Sequence, residues 1–370
     1  MREGLVLREL LTRLPWRRAP AKRALALAGG GVIGGMYEVG VLAALDEDLP
    51  QFRANDFDVY VGSSSGSVVA ALMANGVPPL TLYRILEEGR DDPLNFHSGS
   101  VFHRGAFTGA ARNFAQLVWA VGKNLVTSPS LDWPDLLARS QDSMPEGFFS
   151  VSQLEEFMRR AFSLKGLSND FRACPRPLMI PAVDLDRAER VVFGVGAFVE
   201  TPISEAIAAS SAIPGFFAPF SAGGRDYVDG DVGHTGHADL AVDAGATLVV
   251  VVNPLIPLRS RGDEPPPLKQ HGLYGILEQV GRINSQNLLE LGLRELALRR
   301  PDVEIHLIQP PPGESPLFGP SMGFEASRLA LQFGYTSIKR WLAGPGAGFG
   351  DRLARGERRG GFHLDALRNS

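Results

Sequence analysis

Cysteine is almost missing from the chain, since Cys174 is the only one among 370 residues. A single cysteine excludes an internal disulfide and any metal cluster built from several thiolates. The count fits a reducing compartment, so we expect a cytoplasmic protein. An excess of positive charge is missing too: the formal net charge of -4 disfavours nucleic acid as the main partner.

Long apolar runs are also absent from the sequence. No segment reaches the roughly 18 uninterrupted apolar residues of a membrane span. The longest candidate, around 114–126, is interrupted by Gln116, Lys123 and Asn124. Charged residues likewise interrupt the N-terminal apolar stretches, so we expect no signal peptide.

Residues 1–22 form a basic segment with leucines at helical spacing. The interpretation that we favour is an amphipathic helix that packs its leucines on the main domain, followed by a basic linker. The alternative is peripheral contact with an anionic membrane surface, for which basic amphipathic helices are suited.

Strand-like and helix-like stretches alternate along the chain, which predicts an α/β fold with a mainly parallel sheet. The predicted strands are 23–28, 58–61, 178–183, 190–195, 248–253 and 304–309. The predicted helices are 35–49, 65–75 and 203–211, and one or two amphipathic helices are expected over 274–300.

The main domain is expected over 23–343, with its core at 23–255 and further helices and a late strand at 270–343. The aromatic-rich stretch 91–149 has little strand character and is expected to be an insertion. It fits either a helical cap over an apolar site or a subdomain with its own core. Residues 344–370 are glycine-rich and basic, which predicts a flexible tail.

A glycine-rich turn at 29–34 follows the apolar run 24–28. Its N–H groups precede a predicted helix, where negative charge is stabilised. Gly29, Gly31 and Gly34 also fit a dinucleotide-binding fingerprint, but the second strand lacks the acidic residue at its end that this fingerprint requires. No Gly-Lys-Ser/Thr ending follows, which excludes a phosphate-binding P-loop. An oxyanion loop is the better interpretation.

A second turn, at 62–66, reads Gly-Ser-Ser-Ser-Gly and follows the apolar run 59–61. It fits the G-x-S-x-G nucleophile elbow, in which a sharp strand-to-helix turn presents a serine. The glycines at 62 and 66 select Ser64 as the nucleophile, while Ser63 and Ser65 occupy the intervening positions. A nucleophile and an anion-binding loop are the parts that acyl transfer needs.

A serine nucleophile needs a base, and none of the seven histidines lies in an evident triad context. The stretch 225–231 is more informative, since it reads as a strand followed by a turn containing Asp229, Gly230 and Asp231. With its glycine loop, its elbow and this downstream Asp-Gly, the chain resembles the patatin-like phospholipases. The segment 209–215 also resembles that family. The resemblance covers roughly residues 22–255.

The resemblance implies a three-layer patatin-like fold with a mainly parallel central sheet flanked by helices. It implies a lipid acyl hydrolase of phospholipase A or lysophospholipase type that acts on lipid or fatty-acyl esters, with peripheral membrane contact, no cofactor and no metal. Ser64 and Asp229 would form a dyad without histidine. The oxyanion hole would comprise Gly29, Gly30, Gly31, Gly34 and Ser65. The site wall would include Gly62, Gly66, Pro214 and Gly230.

Two positions depart from the family pattern. Ile33 stands where the family usually carries Arg or Lys, which predicts weaker anion stabilisation or a preference for lipids without phosphate. Asp231 stands where a small residue is expected, so it either raises the pKa of Asp229 or faces solvent. The nearby His234 and His237 are interpreted as loop or packing residues, with a proton shuttle or a metal site formed with Asp231 as alternatives.

Two other functions stay open at this point. A Ser–Asp–His esterase of the α/β-hydrolase type would use a late histidine, His306 or His363. A non-catalytic binding or scaffold protein could share the same fold, because fold does not determine function.

Overall fold

The structure of the protein is a computed structural model that describes residues 21–49, 51–95, 147, 149–259, 272–311, 317–318, 324–356 and 361–363. The predicted N-terminal helix and nearly all of the predicted insertion at 91–149 lie outside these residues. Their structures, and membrane contact through residues 1–22, therefore stay predictions.

Strands in this part of the chain are β1 Arg23–Leu27, β2 Val59–Gly62, β3 Leu178–Asp184, β4 Glu189–Phe193, β5 Phe220–Ala222, β6 Arg225–Val228, β7 Leu248–Val252, β8 Glu304–Ile308 and β9 Gly361–His363. Helices are α1 Gly31–Asp48, α2 Ser65–Ala74, α3 Pro79–Glu88, α4 Ser152–Lys165, α5 Ile203–Ser210, α6 Ala238–Asp243, α7 Gly272–Arg299, α8 Phe324–Leu342 and α9 Phe349–Arg355.

All these strands belong to one sheet, in the order β5-β6-β3-β2-β1-β7-β8-β9, with β4 paired to β3 beside this path. The run from β3 through β2, β1, β7 and β8 to β9 is parallel. At the other end β3, β4, β5 and β6 pair antiparallel. The prediction of a mainly parallel sheet is confirmed.

Both faces of the sheet are buried, so the molecule has three layers. Leu25 and Leu27 of β1 point into a core formed with α1, α2, α3 and α8. Ala24 and Ala26 point to the opposite side, into a core formed with α6 and α7. Two-sided burial explains why the central strands are almost continuously apolar rather than alternating.

Two glycines allow α1 and α8 to pack in close contact. A Cβ on Gly40 would lie 2.1 Å from the Leu331 carbonyl oxygen, and one on Gly334 would lie 2.2 Å from the Tyr37 carbonyl oxygen. Neither distance is sterically possible, so each position requires glycine. Helix α8 therefore fixes the helix that follows the first glycine turn.

The six predicted strands and three predicted helices are confirmed, and the stretch 274–300 is covered by one helix, α7. Helices α3, α4 and α6 and the short strand β5 were not predicted, whereas α8 lies within 270–343, where further helices were expected. Two parts of the expected flexible tail are instead regular structure, because 349–355 is helical and 361–363 forms β9, which pairs with β8. Phe349 is 1% exposed and packs against Trp341, which explains why this segment is ordered. None of the helices described is long and apolar enough to cross a bilayer.

Candidate active site

Ser64 occupies the tight turn between β2 and α2. Its backbone has φ 49° and ψ -128°, a conformation that costs a non-glycine residue about 1–3 kcal/mol. The side chain of Ser210, at the end of α5, accepts a hydrogen bond from the Ser64 N–H at 2.9 Å. The turn thus has the strained geometry expected of a nucleophile elbow, and Ser64 is the residue at its tip.

The flanking glycines explain why the turn tolerates this geometry. A Cβ on Gly62 would lie 2.4 Å from the Gly66 carbonyl oxygen. A Cβ on Gly66 would lie 2.5 Å from the Leu27 carbonyl oxygen. Both positions therefore exclude every other residue type, and α2 begins in direct contact with the end of β1.

The first glycine turn lies against the elbow. A Cβ on Gly29 would lie 2.6 Å from the Ser64 Cβ, so the loop after β1 passes directly beside the Ser64 side chain. Pro254, which follows β7, closes the outer side of the loop, since a Cβ on Gly30 would lie 2.8 Å from its Cγ. The carboxyl ends of β1, β2 and β7 thus converge at Ser64, as expected for an open parallel sheet.

Hydrogen bonding separates the five predicted oxyanion-hole residues into two groups. The Gly29 N–H donates to Asp231 Oδ2 at 2.9 Å, and the Gly34 N–H donates to the Gly30 carbonyl at 3.0 Å. These two donors are therefore not free to bind a ligand. The backbone N–H groups of Gly30, Gly31 and Ser65 have no acceptor within the described part of the chain. They lie at the N-termini of α1 and α2, where anions are stabilised.

Asp229 follows β6 and is buried beside Ser64, with 4% of its surface exposed. Its Oδ1 accepts a hydrogen bond from the Asp231 N–H at 2.9 Å. Its Oδ2 is buried and has no hydrogen bond of standard geometry to any residue that the structure describes. Burial and the nearby Asp231 charge raise the pKa of Asp229, although the Ser64 side chain and the Asp231 N–H favour the charged form.

Residues 25–241 match the model of one family, described as patatin-like phospholipase. The match covers more than half of the chain. The chain belongs to the patatin-like phospholipase family. This membership supports a lipase-type hydrolase and implies a lipid substrate.

Two solved structures are similar to this patatin-like protein over much of its length. VipD from Legionella pneumophila is 14% identical, with a TM-score of 0.41, over 87% of this chain and 67% of that chain. The type III effector protein ExoU is 16% identical, with a TM-score of 0.32, over 87% of this chain and 52% of that chain. The chain thus spans about half the length of ExoU. A search of curated proteins gives no match.

Asp231, one of the two departures from the patatin-like pattern, is only partly exposed, and its carboxylate forms hydrogen bonds within the site. Besides Gly29, it binds Ser63, whose hydroxyl donates to Asp231 Oδ1 at 2.6 Å. The first of the two expectations for this residue agrees with the electrostatics, since its charge raises the pKa of Asp229. The other departure, Ile33, is 2% exposed and packs in the core of the patatin-like domain.

His237 is a packing residue beside the site. Its Nε2 lies 3.0 Å from the Gly230 carbonyl oxygen and its Nδ1 lies 3.3 Å from the Arg190 guanidinium. These contacts fit a neutral ring protonated on Nε2. Burial and the Arg190 charge lower the pKa of His237 to about 3. His234 is exposed and stacks on the His237 ring. Across the described residues no group of three or more possible ligands could hold a metal.

The other predicted residues lie at the periphery of the site or away from it. A Cβ on Gly230 would lie 2.3 Å from the Pro181 carbonyl oxygen, so this glycine lets the Asp229 loop approach β3. Pro214 is exposed in the loop after α5. His306 is buried on β8, where its Nε2 lies 2.6 Å from Glu304 Oε1. The backbone of His363 pairs with that of His306 through β9.

Four contacts of the site are not predicted from the sequence: Ser210 on the Ser64 N–H, Ser63 on Asp231, the Gly29 N–H on Asp231, and Pro254 against the glycine loop. The unexpected acid at 231 was a signal for the second contact. Ser210 lies within the segment 209–215 that resembles the family, but nothing in that pattern indicates its partner. No local pattern indicates Pro254, because its contact depends on the pairing of β7 with β1.

Proposed function

We propose that the protein is a serine-dependent lipid acyl hydrolase in which Ser64 is the nucleophile and Asp229 is the base. One observation carries the proposal: a buried carboxylate oxygen, which has no hydrogen bond of standard geometry in the described part of the chain, lies beside a serine held in a strained elbow. A carboxylate that has lost its hydration accepts a proton more readily than one in water. In an enzyme without substrate, the contact between nucleophile and base is often long and tightens on binding.

In the first step, Ser64 Oγ attacks the ester carbonyl carbon and its proton passes to Asp229 Oδ2. Negative charge develops on the former carbonyl oxygen. The N–H groups of Gly30, Gly31 and Ser65 are the donors that we propose for this oxygen. The N-termini of α1 and α2 add the partial positive charge of their dipoles.

The intermediate then collapses, and Asp229 gives the proton to the leaving alcohol. The acyl group stays on Ser64 as an ester. A water molecule attacks this ester, passes a proton to Asp229, and releases the fatty acid when Ser64 recovers its proton. Asp229 therefore acts alternately as base and acid, with no histidine and no metal involved.

The proposed substrates are carboxylic esters of lipids, of the phospholipase A or lysophospholipase type. The family supports the lipid class, while attack at a carboxylic ester rests on the chemistry of the proposed dyad. Ile33 supplies no cation at the glycine loop, so we expect no strong preference for a phosphate-bearing head group over a neutral one. Fatty-acid release from phospholipid and from monoacylglycerol vesicles would measure this preference.

Labelling with a fluorophosphonate probe tests the dyad directly. We expect wild-type protein to label, Ser64→Ala to lose labelling, and Asp229→Asn to label far more slowly. Matched controls are Ser163→Ala and Asp186→Asn, which change exposed residues away from the site and should label like wild type.

Three outcomes would contradict the proposal. Equal labelling of wild type and Ser64→Ala would show that another residue reacts. Absence of labelling in wild type, also with lipid vesicles present, would favour a non-catalytic binding protein. Unchanged labelling in Asp229→Asn would exclude Asp229 as the base, and His306 variants would then test the triad alternative.

A further inference from the structure

Asp231 forms hydrogen bonds to residues that follow two other strands, and to a residue of its own loop. Its Oδ2 accepts the Gly29 N–H, after β1, at 2.9 Å. Its Oδ1 accepts the Ser63 hydroxyl, after β2, at 2.6 Å. Its own N–H donates to Asp229 Oδ1, after β6, at 2.9 Å. The oxyanion loop, the elbow and the base therefore all bind to this one residue.

The bond to Gly29 has a consequence for the oxyanion loop. Fixing the Gly29 N–H fixes the peptide plane that precedes the free N–H groups of Gly30 and Gly31. The room for this contact is tight, since a Cβ on Gly29 would lie 2.1 Å from Asp231 Oδ2. Orientation of such donors before the reaction is what makes an oxyanion hole effective.

We propose, resting on the ester hydrolysis proposed above, that Asp231 is a positioning residue which aligns the oxyanion loop with the elbow and whose negative charge makes Asp229 a better proton acceptor. Asp231 touches no reacting atom in this scheme. It acts through Gly29, Ser63 and Asp229. An amide at 231 could accept the Gly29 N–H through its oxygen and donate to the Ser63 hydroxyl oxygen through its nitrogen, but it would lack the charge. The two parts of the role are therefore separable.

The charged surroundings of Asp231 agree with this role. Burial raises its own pKa, while the bonds from Ser63 and Gly29 lower it. On α1, Glu38 is fully buried, and its pKa is raised well above the usual range by burial and by the Asp231 charge. On the other side, His237 Nε2 lies 3.9 Å from Asp231 Oδ1, and Arg190 lies behind His237. The Asp231 charge thus raises the pKa of both Glu38 and Asp229, and of these two acids Asp229 is the one hydrogen-bonded to Asp231.

The experiment measures the pH dependence of kcat and KM for hydrolysis of p-nitrophenyl butyrate by the full chain. In Asp231→Asn we expect the acid limb of kcat/KM to move to lower pH, because Asp229 loses a neighbouring negative charge. In Asp231→Ala we expect the same shift, and kcat to fall by about ten- to a hundredfold with KM little changed, because the loop donors lose their alignment. In Ser63→Ala we expect a lower kcat and an acid limb of kcat/KM at the same pH as in wild type.

Asp186→Asn is the matched control, since this carboxylate is exposed. Its profile should equal that of wild type. If Asp231→Ala is not recovered as folded protein, the position of the acid limb of kcat/KM in Asp231→Asn tests the proposal by itself. The proposal is overturned if the acid limb of Asp231→Asn lies at the wild-type pH, or if kcat of Asp231→Ala equals that of wild type. Neither result would contradict the proposed Ser64–Asp229 dyad. Equal turnover by wild type and Ser64→Ala overturns the proposed function itself, and this inference with it.

Discussion

Ser210→Ala tests how the elbow is held in its strained conformation. The Ser210 hydroxyl accepts the Ser64 N–H at 2.9 Å, and the Ser210 side chain is fully buried. Alanine removes this acceptor without leaving room for bulk water. The Ser64 N–H would then be buried and unpaired, which costs about 1–3 kcal/mol. We expect the free energy of unfolding to fall by that amount.

The next residue provides the control. Ser211 is 7% exposed, and its hydroxyl has no partner among the residues that the structure describes. Ser211→Ala removes the same atom from a neighbouring position without breaking a hydrogen bond. We expect a change in the free energy of unfolding of less than about 0.5 kcal/mol, or a slight stabilisation.

Urea unfolding of wild type and both variants measures the difference, provided that the slope with denaturant is unchanged. Fluorophosphonate labelling of the same samples measures the reactivity of Ser64. We expect slower labelling in Ser210→Ala alone, because the turn that presents Ser64 is no longer fixed. Equal free energies of unfolding for Ser210→Ala and Ser211→Ala would refute the reasoning, since the bond to Ser64 would then contribute nothing.

Two further predictions concern packing and pH. Gly40→Ala would place a Cβ 2.1 Å from the Leu331 carbonyl oxygen, so we expect the free energy of unfolding, measured with urea, to fall by at least about 1–3 kcal/mol. The control is Gly281→Ala, in an exposed helical position with open space around it, which should raise the free energy of unfolding by up to about 1 kcal/mol. His237 has a folded-state pKa of about 3, below the unfolded value of about 6.5, so its contribution to stability is complete above pH 6.5 and is lost as pH falls towards 3. Between neutral and acid pH, the free energy of unfolding of His237→Gln should therefore fall less than that of wild type. If it falls equally with pH in both proteins, His237 is excluded as the cause of the acid destabilisation.

The parts of the fold that sequence predicts are those encoded by neighbouring residues. The buried strands β1, β2 and β7 read as apolar runs because both faces of the sheet are covered. The elbow is predicted because the glycines at 62 and 66 are needed within one turn. The base at 229 is predicted only through the family resemblance, since a lone Asp-Gly is common in turns.

Long-range contacts explain what was not predicted. The Gly29 N–H was expected in the oxyanion hole, but its acceptor, Asp231, is distant in sequence and is brought near only by the sheet. The glycine-rich stretch 344–350 indicates flexibility, yet Phe349 is buried against Trp341.

The contact between β1 and β7 bears on the smallest fragment of this protein that could fold and react. The family match ends at residue 241, before β7 begins. Yet the carbonyl of Val252, at the end of β7, accepts the N–H of Ala28 at 3.0 Å, one residue before the glycine loop. Helix α8, later still, packs on α1. A fragment cut at the family boundary would have an open sheet edge beside its own glycine loop, and we expect it to be recovered as aggregate.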